Sequence, residues 1–257
     1  MVETSTDVRD GDWTYFLTPE RYLELGRADA AALVAAARAV PAAAVAGCPG
    51  WKVTDLVDHV AMVYAHKSAA LEQGRPPSSW PPDEPDPDDV FAFFDAAASD
   101  LFDRLTALPP EQTAWSWFAP EQTVAFWQRR MAQETAVHRR DAELASGATT
   151  PIDPELAVDG IDEILGWFRV DWGMEPVDCG SGSVAIEAGA ARWWVEVTPA
   201  RIVPHRGVGS ADPAARVAGD PEAVLWWLWR GDSAGLTVEG DHDLMDGVRA
   251  HLSQAAS

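Results

Sequence analysis

Two side chains that can hold a cation lie four positions apart in the sequence. Glu134 and His138 close the segment ETAVH. If this segment is helical, the two residues lie on one face about one turn apart, so the carboxylate and the imidazole can contact one ion together. The same spacing describes an ordinary surface ion pair that contributes roughly 0.3–0.5 kcal/mol. Spacing alone therefore leaves a ligand pair and a salt bridge both open.

A second histidine has a similar setting on another predicted helix. The stripe that carries Glu134 and His138 continues through Trp127, Met131, Ala142 and Ala145. His59 lies on a comparable stripe with Leu56, Met62, Val63 and His66. Apolar neighbours at this spacing indicate inward faces, where a Glu and a His are costly unless they are paired. A metal ion would pair them, and so would a hydrogen-bonded Glu–His network without metal.

Four predicted helices must position these residues. Each has apolar residues at helical spacing and is bounded by Pro or Gly. The segments are 20–40, 51–72, 88–108 and 121–145, with Gly147 as the expected C-cap of the last. Residues 1–18 are interpreted as a lead-in, and the Pro- and Asp-rich residues 74–89 as a loop. Four helices of this length predict an antiparallel four-helix bundle.

The pattern changes after a linker at residues 149–154. Strands are predicted at 183–187, 192–198, 201–204, 215–218 and 236–239, and helices at 155–172, 221–229 and 244–252. The predicted fold class is therefore α + α/β mixed in two domains. A four-helix bundle occupies 1–148, and a small α+β domain occupies 149–257.

Composition excludes several classes of partner. The formal net charge of −22, from 41 acidic against 19 basic residues, disfavours nucleic acid and anionic membranes. No signal peptide and no transmembrane segment are predicted. Cys48 and Cys179 are too far apart in sequence for a disulfide framework or a zinc-finger spacing, and they fit a reducing compartment. We therefore expect a cytoplasmic protein, as a monomer or small homo-oligomer.

Two separated segments resemble the mycothiol-dependent maleylpyruvate isomerase family, a member of the DinB-like metal-binding bundles. CPGWKVTDLVDHV (48–60) leads into the second predicted helix, and RRMAQETAVHRRDAEL (129–144) lies in the fourth. The resemblance covers residues 19–146 well. It is fainter over 155–253, where WWLWRGD (226–232) and LTVEGD (236–241) match best. The family often has an aromatic residue where this chain has Arg140, which bears on local packing and not on the ligands.

The resemblance implies a catalytic metal centre. The family's ligands would fall on His59, Glu134 and His138, with zinc as the expected ion. Three protein ligands leave an open coordination position, which would receive the sulfur of mycothiol as thiolate. In the isomerase reaction the thiolate adds to a conjugated double bond, the bond rotates and the thiolate leaves. An S-transferase would keep the adduct. The implied partners are thus a low-molecular-weight thiol and a small-molecule electrophile.

Arg230 is the candidate catalytic residue of the second domain. A dicarboxylate or keto-acid substrate needs a cation, and a guanidinium binds a carboxylate through two hydrogen bonds. The alternative is an exposed Arg at a helix C-terminus, where the helix dipole favours a positive charge.

Three further residues have structural and functional interpretations. His66 is expected to be a half-buried structural histidine. Asp141 either orients a metal-binding histidine or forms a surface salt bridge with Arg139 or Arg140. Cys48 precedes a helix N-terminus, which favours its thiolate, but a structural role in the turn is expected.

A non-catalytic protein is the rival function. The Trp-rich second domain would then bind a hydrophobic small molecule among its aromatic side chains, and Glu134 and His138 would form a metal-free pair.

Overall fold

The computed structural model describes residues 16–78, 89–209 and 211–255. It divides into two compact units, one formed by Leu17–Asp153 and the other by residues from Pro154 onward together with Phe16. The predicted fold class is confirmed, since a helical region is followed by a small domain with a five-stranded sheet. The predicted lead-in and the Pro-rich loop lie largely outside the described residues.

The first unit contains four long helices. They are α1 (Pro19–Ala39), α2 (Val53–Gln73), α3 (Val90–Ala107) and α4 (Val124–Ser146). Helix α1 packs chiefly on α4, and α2 packs chiefly on α3. The core contains large, almost fully buried side chains from all four helices: Tyr22, Leu33, Leu56, Tyr64, Phe94, Leu101, Phe102, Trp127 and Met131. The helices therefore bury their apolar stripes against one another, as the periodicity predicts.

Local sequence sets where these helices begin and end. The Thr18 side chain accepts a hydrogen bond from the Arg21 amide, directly before a proline in the first turn of α1. Thr123 caps α4 in the same way. Gly147 ends α4 in the left-handed conformation with φ 76°, which a glycine adopts without steric cost. The predicted C-cap is confirmed.

Gly26 allows α1 to approach its neighbours closely. A Cβ atom at this position would lie 2.7 Å from the Phe102 ring and 3.5 Å from the Cα of Ala132 on α4. A methyl group here would clash with the Phe102 ring on α3, whereas its contact with α4 would be an ordinary van der Waals distance.

The second unit is a sheet covered by helices. It contains α5 (Pro154–Gly166), β1 (Gly182–Ala188), β2 (Ala191–Thr198), β3 (Arg201–Arg206), β4 (Ala215–Gly219), α6 (Pro221–Arg230), β5 (Thr237–Gly240) and α7 (His242–Ala255). The strand order is β3-β2-β1-β4-β5. Strands β1 and β4 are parallel, and the other neighbours are antiparallel. Alternate residues of the central strands are buried, and α6 and α7 contact the sheet.

One helix is shorter than predicted. The helix expected over residues 155–172 ends at Gly166, and Trp167–Arg169 form a single 3₁₀ turn. Buried Trp167 and Phe168 continue the apolar pattern, which does not distinguish the two kinds of helix. None of the described helices is both long and apolar enough to cross a bilayer.

Candidate metal centre

Three donor side chains converge between α2 and α4. Helix α2 contributes His59, and α4 contributes Glu134 and His138 from successive turns. Glu134 Oε1 lies 3.7 Å from His59 Nε2 and 3.3 Å from His138 Nε2. One ligand atom from each residue lies within 4.8 Å of the other two. The structure thus brings the three predicted ligands together, and it turns both imidazoles toward one carboxylate oxygen.

A buried hydrogen bond ties the two helices together beside this cluster. The hydroxyls of Tyr64 on α2 and Thr135 on α4 lie 2.5 Å apart, and Thr135 also donates to the Met131 carbonyl. Both hydroxyl groups belong to fully buried residues. Because Thr135 follows Glu134 directly, this contact fixes the spacing between the ligand-bearing helices at the level of the cluster.

The turn before α2 packs on the His59 imidazole. The centres of the Trp51 and His59 rings lie 5.0 Å apart. The centres of the His59 and His138 rings lie 5.4 Å apart, with the rings in an edge-to-face arrangement. The Trp51 amide donates to the Cys48 carbonyl, and its own carbonyl accepts from Val45, so the turn is closed by backbone hydrogen bonds. The CPGW segment therefore packs against the imidazole of the candidate ligand His59.

Two neighbouring side chains bind the outer polar atoms of Glu134 and His138 and leave their other polar atoms facing each other. Arg130 Nη2 donates to Glu134 Oε2 at 2.5 Å, which leaves Oε1 facing the histidines. Asp141 Oδ2 lies 3.2 Å from His138 Nδ1, so Nε2 faces Glu134. A carboxylate on the far nitrogen of a metal-binding histidine fixes the tautomer and orientation of the ring. The Asp141 side chain is fully buried, so the surface salt bridge considered for it is wrong.

Opposite charges hold the cluster in an ionised form. Burial opposes ionisation of Glu134, but the charge and hydrogen bond of His138, the hydrogen bond of His59 and the charge of Arg130 outweigh it and keep the Glu134 pKa well below its ordinary value. Burial also opposes a charge on His138. Glu134 and Asp141 prevail and raise the His138 pKa to about 9. The carboxylate is therefore available as an anionic ligand at neutral pH.

Lys67 adds a second cation near the cluster. Its ammonium lies 5.3 Å from the centre of the Trp127 ring and 3.1 Å from His66 Nδ1. Burial lowers the Lys67 pKa to about 8, with Arg130 adding to the effect and Glu134 opposing it. Neither Arg130 nor Lys67 is among the site residues predicted from the sequence. Arg130 lies four residues before Glu134, and that spacing could have identified it.

The surroundings of His66 fit the structural role predicted for it. It is 6% exposed, more buried than the half-buried position predicted, and its ring lies 6.5 Å from the ring of Trp115. Burial, followed by the charge of Lys67, lowers the His66 pKa to about 4. A neutral imidazole at this site avoids a second buried cation next to Lys67.

The donor set fits a small divalent ion. A tetrahedral ion with bonds of about 2.0–2.1 Å to nitrogen and oxygen holds its ligand atoms about 3.3 Å apart. The 3.3 and 3.7 Å separations lie close to that value. Two imidazoles and one carboxylate suit zinc and its first-row neighbours better than calcium or magnesium, which prefer oxygen ligands.

Arg230 lies in the second unit, at the end of α6. Its guanidinium lies 5.6 Å from the centre of the Trp226 ring, and the following Gly231 caps the helix in the left-handed conformation. This placement fits the interaction with the helix dipole that the sequence suggests. The catalytic role of Arg230 stays a prediction.

Comparison with known proteins shows what the bundle resembles. Residues 18–143 match the family model described as the mycothiol maleylpyruvate isomerase N-terminal domain. The bundle is similar to this domain. The match includes all three converging residues, and it confirms the resemblance inferred from the two sequence segments. No curated protein matches the chain.

Two crystal structures extend the likeness to the whole fold. Both are of the mycothiol-dependent maleylpyruvate isomerase, one of them a histidine-to-alanine variant. The variant is 13% identical to this chain with a TM-score of 0.61, and the other structure is 14% identical with the same score. In each comparison 88% of this chain and 95% of the other are covered. The chain therefore shares the arrangement of a bundle followed by a small α+β domain.

Proposed function

We propose that the protein is a cytoplasmic, zinc-dependent enzyme that uses mycothiol to isomerise an electrophilic small molecule, as in maleylpyruvate isomerisation. The observation that carries this proposal is the convergence of His59, Glu134 and His138 inside a bundle similar to the mycothiol maleylpyruvate isomerase N-terminal domain. The family match favours the enzyme over the non-catalytic binding protein. Neither cysteine forms a disulfide among the described residues, which suits a reducing compartment.

Three protein ligands leave room for a substrate atom. A zinc ion held there would lower the pKa of a thiol in its open position and keep the thiolate available at neutral pH. Asp141 keeps the His138 ring oriented, and Arg130 keeps one oxygen of Glu134 occupied so that the other faces the histidines. The protein's part is therefore to present three fixed donor atoms.

The local charge favours anionic reactants. Glu134 and Asp141 carry two negative charges, and Arg130 and Lys67 carry two positive charges when Lys67 is protonated. With an ion bound, His138 would be neutral and these four charges would cancel, so the ion's own charge would make the centre positive within a chain of net charge −22. A thiolate and an anionic electrophile are attracted to such a centre.

The test is an assay of thiol dependence with the zinc-loaded protein. Maleylpyruvate is offered with mycothiol, with glutathione and with no thiol, and products are separated by chromatography. We expect fumarylpyruvate to form only with mycothiol. Accumulation of a thiol adduct would instead identify an S-transferase, and lack of turnover in protein that retains one zinc per chain would refute the proposal.

Two matched variants separate the centre from the fold. His59→Gln removes a donor of the cluster, whereas His66→Gln changes a histidine on the same helix outside it. Turnover should be lost in the first variant and retained in the second, with circular dichroism confirming that both are folded.

A further inference from the structure

A second set of donor atoms lies on the other side of His138. One ligand atom each from Cys48, His138 and Asp141 lies within 4.8 Å of the other two. This group contains a sulfur, a nitrogen and a carboxylate oxygen, whereas the centre described above contains two nitrogens and an oxygen. Thiolate, imidazole and carboxylate together suit thiophilic divalent ions.

The position of Cys48 is fixed by the turn before α2. Its amide donates to the Val45 carbonyl at 3.1 Å, and its carbonyl accepts from the Trp51 amide at 3.0 Å. Gly50 turns the chain with φ 88°, a conformation that side chains rarely adopt. The backbone hydrogen bonds of this turn thus hold the Cys48 sulfur near His138 and Asp141.

His138 is shared by the two groups through opposite edges of its ring. Nε2 faces Glu134 at 3.3 Å, and Nδ1 faces Asp141 at 3.2 Å. Cys48 groups with Asp141 and not with Glu134, which places its sulfur on the Nδ1 side. A neutral imidazole has one lone pair for a metal, so it serves one edge at a time.

We propose that Cys48, His138 and Asp141 form a second metal site, which takes a thiophilic divalent ion such as cadmium and excludes an ion from the His59–Glu134–His138 centre. When the ion binds, the Cys48 thiol and the Nδ1–H of protonated His138 each release a proton to solvent. The imidazole binds the ion through Nδ1 and keeps its proton on Nε2, which then donates to Glu134. No electron is transferred, and the two negative charges of thiolate and carboxylate neutralise the ion.

This site would make the protein sensitive to thiophilic metals. An ion on the Cys48 side keeps the proton on His138 Nε2, so the first centre loses one donor atom while the bundle stays folded. The inhibition would differ from general thiol damage, because it depends on one cysteine and is reversed by a chelator.

Cadmium titration of the metal-free, full-length protein tests the site. Cadmium bound to a thiolate gives an ultraviolet charge-transfer band, which ligation by histidine and carboxylate alone does not give. We expect the band in the native chain, in His59→Ala and in Cys179→Ser, the matched control at the other cysteine. It should be absent in Cys48→Ser and in Cys48→Ala, and Asp141→Asn should need more cadmium to reach half of its full intensity.

The opposite pattern would overturn the proposal. A band that persists in folded Cys48→Ser and is lost in Cys179→Ser places the cadmium elsewhere, and a native chain without the band has no such site. Equilibrium dialysis against zinc and cadmium together tests the exclusion, with one ion per chain in total expected and two contradicting it. None of these measurements requires turnover, so they stand whether or not the thiol-dependent reaction is found.

Discussion

Helix α4 carries two pairs of polar residues with the same spacing and opposite character. Glu134 and His138 are four residues apart, and so are Arg139 and Glu143. Arg139 Nη1 donates to both carboxylate oxygens of Glu143, at 3.0 and 2.9 Å. Glu143 also accepts from the amide and the hydroxyl of Thr150 at 2.8 and 2.7 Å. Donors and acceptors match within this second pair.

The Glu134–His138 pair differs, because Glu134 Oε1 faces the Nε2 atoms of both His138 and His59. A cation that replaces the protons on these nitrogens would bind all three side chains at once. The Arg139–Glu143 pair is a closed ion pair that stabilises the end of α4 and the start of the linker. Spacing of four residues therefore marks a shared helix face, and the chemistry of the third partner decides between a ligand set and a salt bridge.

Removing the cation of the closed pair should produce the largest effect. Arg139→Met leaves the buried Glu143 without its partner, and breaking such a pair typically costs about 3–5 kcal/mol. We expect the free energy of unfolding in urea to fall by about that amount, while the protein that remains folded retains its zinc. Loss of zinc from folded Arg139→Met would show that the two pairs are not independent.

Removing a donor of the open cluster should change metal binding more than folding. His59→Ala should lower zinc affinity at least about 100-fold, since loss of an outer partner alone costs about 10–100-fold. The free energy of unfolding of the metal-free protein should change by about 1 kcal/mol or less. Chelator competition measures the affinity. Zinc affinity equal to that of the native chain would remove His59 from the ligand set.

Asp141 should have an intermediate effect on the cluster. Asp141→Asn keeps the shape of the side chain but removes the charge that orients His138, so we expect zinc affinity to fall about 10–100-fold. Asp29→Asn is the control, because Asp29 contacts Arg139 Nε at 2.9 Å and belongs to the closed network. Equal losses in the two variants would argue against a specific role for Asp141.

The smallest effect concerns the pH dependence of the closed network. Burial raises the Asp29 pKa from 3.8 to about 6. The positive charge of Arg139 lowers this pKa, but Arg139 also pairs with Glu143, and the negative charges of Glu143 and Asp153 raise it. Because the pKa of Asp29 is higher in the folded than in the unfolded state, this group contributes to stability below about pH 4. The contribution is lost as the pH rises through 6. The free energy of unfolding should fall by about 1–2 kcal/mol over that window after allowance for partial exposure.

The Asp29→Asn variant supplies the comparison for this titration. Urea unfolding at several pH values should give a flatter profile in the variant between pH 4 and 6. Profiles of the same slope in both proteins would assign the pH dependence to other groups.

Features that depend on local sequence could be predicted. Gly147 and the proline that opens α1 place helix ends to within a few residues because caps and φ preferences act locally. The shared face of Glu134 and His138 also follows from helical spacing. His59 became a candidate ligand from its inward stripe and from the resemblance, since spacing does not relate residues on different helices.

The surroundings of the cluster could not be predicted in the same way. Lys67 and Cys48 reach α4 only through packing of segments that are distant in sequence, and periodicity holds no information on such contacts. The sequence therefore predicts that Cys48 lies in a turn before α2, but not that it approaches His138. Trp167–Arg169 illustrate another limit, because burial alone does not distinguish an α-helix from a 3₁₀ turn.

The hydroxyl contact between Tyr64 and Thr135 has a consequence for ion selectivity. This contact links α2 and α4 beside the cluster, so moving the two helices apart to fit a larger ion would break a buried hydrogen bond. Small ions that bind few ligands at short distances fit this spacing of the helices. Calcium, which takes six to eight oxygen ligands at about 2.3–2.6 Å, does not. We therefore expect the centre to prefer small divalent ions over calcium.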